Sequence, residues 1–399
     1  MKNSQLSKNK WLSLDFRLGE TNATYNMKIL FLVQGEGRGH LTQAISMGQI
    51  LRSRGHEIVA AMVGTSPGRQ VPAFFDEQIL APVLHFDAPN IVYNAQGGGM
   101  NLKRTLYTHL SNLPKYLKSL GKIHQSIQDI RPDLIISFYD TFGGLYNLVY
   151  RSSIPMVCIA HQYLLMHPKF VFPKNSLINR LLLNLNSKST SWFAAKRLAL
   201  SFREIPSRPD LKITVVPPLL RKEIVQLLPT RGNFFLVYMT HHSLSRQVID
   251  WHMAHPEVVL HCFWDNVDVS DEFAFDETLT FHRINSRKYL DMLATCGALV
   301  TTAGFESVCE AMYLGKPVMM VPVPNHFEQE CNAIDGVISG AGVTSKSFDL
   351  SILLDYLPKH IDQSQKFRNW YLSGEDTFVK EIQAFDKQAS VNPKVKSEA

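Results

Sequence analysis

The stretch TTAGFESVCEAMYLGKPVMMVPVPNHFEQECNA, Thr301 to Ala333, constrains the fold more than any other part of this chain. The apolar run Ala298 to Val300 reads as a short buried strand that Gly304 breaks. Helical spacing then runs from Glu306 to Leu314 and stops at Gly315, with Pro317 beyond. A second strand, Val318 to Val321, ends at Pro322 and opens into a polar loop, Asn325 to Glu330. Strand, turn, helix, strand is the repeating unit of a parallel α/β sheet, whose ligands sit beyond the strand C-termini. The free N–H groups of Gly304, Phe305, Glu306 and Ser307, with the positive end of the helix dipole, suit a diphosphate.

Glu310 lies one turn into that helix, four residues after Glu306, and its carboxylate can accept from two ribose hydroxyls. A solvated helix glutamate is the alternative. In the polar loop, Gln329 and Glu330 are candidates for contact with sugar hydroxyls and His326 for donor binding; a loop of this composition also often opens a helix.

The second feature runs from Met27 to His40: an apolar strand feeding a turn with Gly35, Gly37 and Gly39, then the helical pattern Leu41, Ala44, Ile45, Ile50, Leu51. The spacing is not G-x-G-x-x-G, and the strand Ile58 to Val63 carries no acidic residue to hold a ribose, which argues against a dinucleotide site. His40 at the mouth of the turn suits a general base, because imidazole titrates near working pH. A helix N-terminal histidine facing solvent is the bland reading.

Taken together, these residues carry a family resemblance. Ala303-Gly304, Glu310-Ala311, Gly315-Lys316-Pro317, Pro322, Gln329-Glu330 and Asn332-Ala333 resemble the donor-binding segment of GT-B glycosyltransferases. The similar group contains the UDP-glycosyltransferases and the lipid-linked N-acetylglucosamine transferase of peptidoglycan synthesis. Met27 to His40 and Ala160-His161-Gln162 extend the likeness.

The resemblance implies two doubly wound Rossmann-like domains facing each other across a cleft, and transfer of a hexosyl group from a UDP-sugar to an acceptor hydroxyl. Inversion without a metal or other cofactor is implied as well. Glu310 would bind the ribose, the Gly304 to Ser307 backbone the phosphates, and Gln329 with Glu330 the sugar. His40 would be the base. Asp140 matches the aspartate that orients this histidine in plant-type relatives, although a helix N-cap explains Asp140 equally well. The loop at Ile284 would read the base through its backbone. Met239-Thr240-His241-His242-Ser243 replaces a glycine-rich loop, leaving the Thr240 and Ser243 hydroxyls as substitutes. A UDP-sugar epimerase on the same fold and a catalytically silent nucleotide-sugar-binding protein are the alternatives.

The expected organisation is an N-terminal extension over 1–26, an acceptor domain over 27–216, a proline-marked linker over 217–232 and a donor domain over 233–399. No signal-like apolar core occupies the first 26 residues and no transmembrane stretch is evident. The five cysteines show no C-x-x-C spacing, so reduced buried thiols in a cytoplasmic protein are expected, and His241-His242 alone is no metal signature.

Charge is unevenly divided. Residues 1–215 carry a net +13 and residues 216–399 a net −7. The basic residues are scattered and no nucleic-acid motif accompanies them, so an anionic lipid surface or acceptor is the expected partner. Leu177 to Phe202, rich in leucine beside Arg180, Lys188, Lys196 and Arg197, is the candidate for peripheral contact with the inner face of a membrane. A core helix carries a similar stripe.

Overall fold

The computed structural model describes residues 26–67, 69–90, 102–174, 176–266 and 269–386. Two seven-stranded sheets organise the chain. The first holds β1 (Lys28–Gln34), β2 (Glu57–Thr65), β3 (Val83–Asp87), β4 (Leu134–Phe138), β5 (Met156–Ala160), β6 (Lys196–Leu200) and β7 (Ile213–Val216), in the order β3-β2-β1-β4-β5-β6-β7. The second holds β8 (Phe234–Tyr238), β9 (Val259–Trp264), β10 (Glu272–Ala274), β11 (Leu279–Arg283), β12 (Ala298–Thr301), β13 (Val318–Met320) and β14 (Gly342–Thr344), in the order β10-β11-β9-β8-β12-β13-β14. Every pairing is parallel except β10 with β11.

The central strands are continuous apolar runs because helices cover both sheet faces. In β1, Ile29 to Val33 are buried and stand in register with Leu134 to Phe138 of β4. Strand order reverses between β1 and β4 and between β8 and β12, so each sheet has a crevice at its C-terminal edge. His40 lies beyond one crevice and Gly304 beyond the other.

The two halves share apolar packing. One core cluster extends from Val33 and Leu41 through Leu219 and Leu220 to Leu293 and Phe305. Helices Ser364–Leu372 and Gly374–Gln383 return to the first sheet's side, where Trp370 Nε1 donates to the Ser201 carbonyl at 3.0 Å and Arg54 pairs with Glu375 at 2.8 Å. Residues assigned from sequence to the donor domain thus clamp the acceptor side.

Leu177 to Phe202 is not one amphipathic stretch. It divides into the helix Leu177–Thr190 and β6, where Leu198 is buried, Lys196 pairs with Glu381, and Arg197 Nε donates to Ser191 Oγ at 2.8 Å. The helix retains an exposed apolar face, and Trp192 and Phe193 beyond it are also exposed. All five cysteines are buried and unpaired. Among the described residues, no helix is long and apolar enough to cross a membrane.

Candidate active site

The helix Phe305–Tyr313 begins where the sequence pattern places it, but the strained residue is one position earlier than the glycine. Ala303 has φ of 61°, in the left-handed region, whereas the N-cap Gly304 has φ of −68° and a would-be Cβ there would meet only Ser307 Oγ, at 4.0 Å. Holding an alanine there costs about 1 kcal/mol and turns the chain sharply off β12, aiming the helix N-terminus into the cleft. Tyr139, at the end of β4, repeats the device with φ of 57°.

Across the cleft, the helix Arg38–Ser53 starts at Gly37 and brings its first turn against the helix Phe305–Tyr313. The approach is close: a Cβ at Gly39 would lie 2.5 Å from Glu306 Oε2. Glycine at 39 is what lets two helix N-termini face one site, where their dipoles reinforce each other for an anion. Phe305 seals the edge of this contact, stacked on His161 at 4.0 Å between ring centroids and packed on Phe202 at 4.6 Å.

His40 is buried, stacked on Tyr139 at 5.6 Å, with Nδ1 3.2 Å from Gln43 Oε1. Burial lowers its pKa, while the Gln43 contact and the field of Glu328 oppose that shift, so the imidazole is neutral at working pH. The expected pairing of Asp140 with His40 is not made. Asp140 caps the helix Thr141–Tyr150, its Oδ1 accepting from Phe142 N at 2.8 Å, and burial raises its pKa to about 7 against the backbone hydrogen bonds from Phe142 and Gly143. The cap geometry directs the carboxylate to its own helix, and Gln43, one turn from His40, takes the ring nitrogen.

Glu310 is buried and its carboxylate is held by Arg221, Nε to Oε1 at 2.6 Å and NH2 to Oε2 at 2.7 Å. Burial works against the Arg221 charge, but attraction to Glu310 outweighs it and holds the guanidinium pKa above its ordinary value. Glu306, expected to act through its backbone, also contributes its side chain: Gln43 Nε2 donates to Glu306 Oε1. Burial raises the Glu306 pKa to about 7. Arg38 spans the cleft to Ser286 Oγ at 3.1 Å, where the helix Ser286–Thr295 begins, with its guanidinium over the Phe74 ring at 4.7 Å.

Gln329 and Glu330 do not sit in a loop. They occupy the first turn of the helix Phe327–Ile338, which His326 caps, its Nδ1 accepting from Gln329 N at 3.4 Å. The Gln329 carbonyl oxygen accepts from Val323 N at 2.8 Å, which leaves the amide nitrogen to donate. Glu328, one residue earlier, crosses the cleft to accept from Gln162 Nε2 at 2.9 Å.

Thr240 is exposed just past β8, and Ile284 is half-buried just past β11. Both follow strand ends on the rim that carries Gly304. Ser243 is engaged locally, its Oγ 2.7 Å from His241 Nδ1. Among the described residues, His241, His242 and Asp265 offer ligand atoms within 4.8 Å of one another. Their polar atoms already bond locally, with His241 Nδ1 accepting from Ser243 N at 3.1 Å and Asp265 Oδ1 from His242 N at 2.7 Å.

Sequence reasoning did not single out Gln43, Arg221, Arg38, Glu328 or the Glu306 side chain. Gln43 alone carried a local signal, the i, i+3 spacing from His40.

Comparison with known proteins places this geometry in context. Among solved structures, the glycotransferase of kitacinnamycin superposes with a TM-score of 0.61 at 14% identity, covering 90% of this chain and 99% of that one. Phytolacca americana UGT2, complexed with UDP-2fluoro-glucose and pterostilbene, gives a TM-score of 0.60 at 13% identity, covering 90% and 99%. At such identities the likeness concerns the fold, which is GT-B. Two Methanosarcina mazei proteins, each described as an uncharacterized glycosyltransferase, are 24% identical over 141 residues and 27% identical over 138 residues. The chain spans about a third of the length of these curated relatives, 34% and 33%. The family model described as glycosyl transferase family 1 matches residues 27–359, most of the chain. This protein therefore belongs to glycosyl transferase family 1.

Proposed function

We propose that the protein transfers a hexosyl group from a UDP-sugar to the hydroxyl of a membrane-associated acceptor, with inversion and without a metal. The observation that carries this reading is the meeting of a buried, neutral His40 with the N-terminus of the helix Phe305–Tyr313 across one cleft. His40 takes the acceptor proton, the acceptor oxygen attacks the anomeric carbon, and the bond from that carbon to the phosphate oxygen breaks. Backbone N–H groups from Gly304 to Ser307, with Arg38, receive the negative charge that develops on the leaving diphosphate. Glu310 would accept from the ribose, Gln329 and Glu330 would hold the sugar, and the rim at Thr240 and Ile284 would meet the phosphate and base. The UDP-sugar analogue bound by the Phytolacca americana protein supports this donor class.

The acceptor side supports an apolar, membrane-borne substrate. Leu106, Tyr107, Leu110 and Leu117 of the helix Leu102–Ile130, and Leu177, Ile178, Leu181 and Leu185 of the helix Leu177–Thr190, expose apolar surface. Exposed Lys103, Lys115, Lys118, Arg180 and Lys188 lie on the same helices, a composition suited to anionic lipid. Beneath the first helix lies an apolar cavity of about 240 Å³, lined by Leu110, Leu113, Tyr116, Leu120, Phe142 and Leu145. Phe142 stands two residues from Asp140, so the cavity adjoins the β4 end that carries Tyr139 under His40.

Thermal stabilisation by UDP, GDP, dTDP and NAD at matched concentration tests the donor. A ligand at 100 times its dissociation constant adds about 2.7 kcal/mol to the folded state. A UDP-selective gain supports the reading, and an NAD-only gain overturns it.

A further inference from the structure

Three polar groups in the cleft form a chain from one half of the molecule to the other. His40 Nδ1 lies 3.2 Å from Gln43 Oε1, and Gln43 Nε2 donates to Glu306 Oε1. Gln43 is buried on the helix Arg38–Ser53, and Glu306 sits in the first turn of the helix Phe305–Tyr313, so the chain exists only while the two halves are in contact. We infer that Glu306, acting through Gln43, is a positioning residue that sets the tautomer of His40. The inference rests on the reading of His40 as base.

The reason is the polarity of the groups. An ionised carboxylate only accepts, so it holds the Gln43 amide with its nitrogen toward Glu306 and its oxygen toward His40. An amide oxygen also only accepts, so His40 must carry its proton on Nδ1. The lone pair is then on Nε2, the nitrogen that would take the acceptor proton. Protonated Glu306 no longer fixes the amide: its O–H can donate to the amide oxygen, and an amide so turned points its nitrogen at the ring, where Nδ1 must accept. The single imidazole proton then sits on Nε2, where it blocks proton abstraction.

The groups around Glu306 make that reversal accessible. Its field neighbours are Glu310 on its own helix and Glu328 from the helix Phe327–Ile338, both of which favour the neutral acid. The Gln43 hydrogen bond and the backbone of its own helix turn favour the carboxylate. His40 and Gln43 face it from the first helix, and Cys309 on its own helix feels its charge. Burial dominates and brings the acid's midpoint to about 7. An orienting group supplied by the donor half raises the share of competent base when the donor helix is docked, which limits wasteful activation in an open cleft.

The test is nitrogen-15 NMR of the full chain labelled at histidine, with His40 assigned by His40→Asn. Ring couplings report which nitrogen carries the proton. Wild type should show Nδ1–H at pH 8.5, and Nε2–H should grow in on acidification, with a midpoint near the about 7 of Glu306. Glu306→Gln, nearly isosteric, should remove that transition and leave mixed tautomers, as should Gln43→Leu. Nε2–H in wild type at pH 8.5, or Nδ1–H retained in both variants, overturns the inference. Should a variant fail to fold, the wild-type pH series decides alone. Because the measurement reads no turnover, failure to bind UDP would sink the proposed function and leave the tautomer result standing.

Discussion

Arg221 and Glu310 meet in a two-point ion pair at 2.6 and 2.7 Å, which ties the segment between the sheets to the donor-side helix. A ribose that hydrogen-bonds Glu310 must share the carboxylate with Arg221. Removing Glu310 alone strands a largely buried guanidinium, so Glu310→Ala should cost about 3–5 kcal/mol of stability as well as UDP affinity. The double variant Arg221→Met with Glu310→Leu should recover most of that stability and still bind UDP weakly. Urea unfolding with UDP titration separates the two effects, and full UDP affinity in the double variant would refute the ribose role.

His40→Ala should lower turnover by about 10²- to 10⁴-fold while leaving UDP affinity nearly intact, because general-base catalysis acts on the transition state. Single-turnover kinetics beside UDP calorimetry reads both quantities. Lost UDP binding with unchanged chemistry would make His40 a ligand.

Asp140 gives a pH signature of its own. Its folded pKa of about 7 lies above the ordinary 3.8, so the folded state keeps a proton that the unfolded chain has released. Its contribution is complete below about pH 4 and lost as pH rises to about 7, at about 1.4 kcal/mol per unit. Asp140→Asn keeps the cap acceptor for Phe142 N and should remove that decline, so the variant gains on wild type between pH 4 and 7. Asp140→Ala loses the cap and should lie about 1 kcal/mol below Asp140→Asn throughout. Parallel stability curves for wild type and Asp140→Asn would defeat this account.

Membrane contact should depend on the exposed helix face. Leu181→Glu with Leu185→Glu places charge on an apolar stripe and should abolish cosedimentation with phosphatidylglycerol vesicles without changing thermal stability, since both side chains are exposed. Equal sedimentation of wild type and variant, or none by wild type, would remove the membrane from the proposed function.

The sheet strands, the helix after Gly304 and the helix after His40 were legible because each is written in consecutive residues. Apolar runs from Ile29 to Val33 and from Ala298 to Val300 mark strands wherever they fall in space. Strands β3, β6, β10 and β14 carry weaker patterns: β10 is exposed throughout, only Phe86 of β3 is buried, β6 opens with Lys196-Arg197, and β14 is three residues long. The glutamine and glutamate at 329 and 330 were recognised, but the choice between polar loop and helix start stayed open, because a capped helix start and a polar loop share one composition.

By itself, then, the sequence determined the fold class and which residue types gather at the strand ends, because hydrophobic period and turn chemistry are local properties. Tertiary structure decided the partners. Arg221 reaches Glu310 across 89 positions, Gln43 reaches Glu306 across 263, and Asp140 stays with its own helix instead of turning to His40. Hydrogen-bond partners depend on distances of a few ångströms between groups far apart in the chain. Those distances are set by how two sheets and their covering helices pack, which no local pattern encodes.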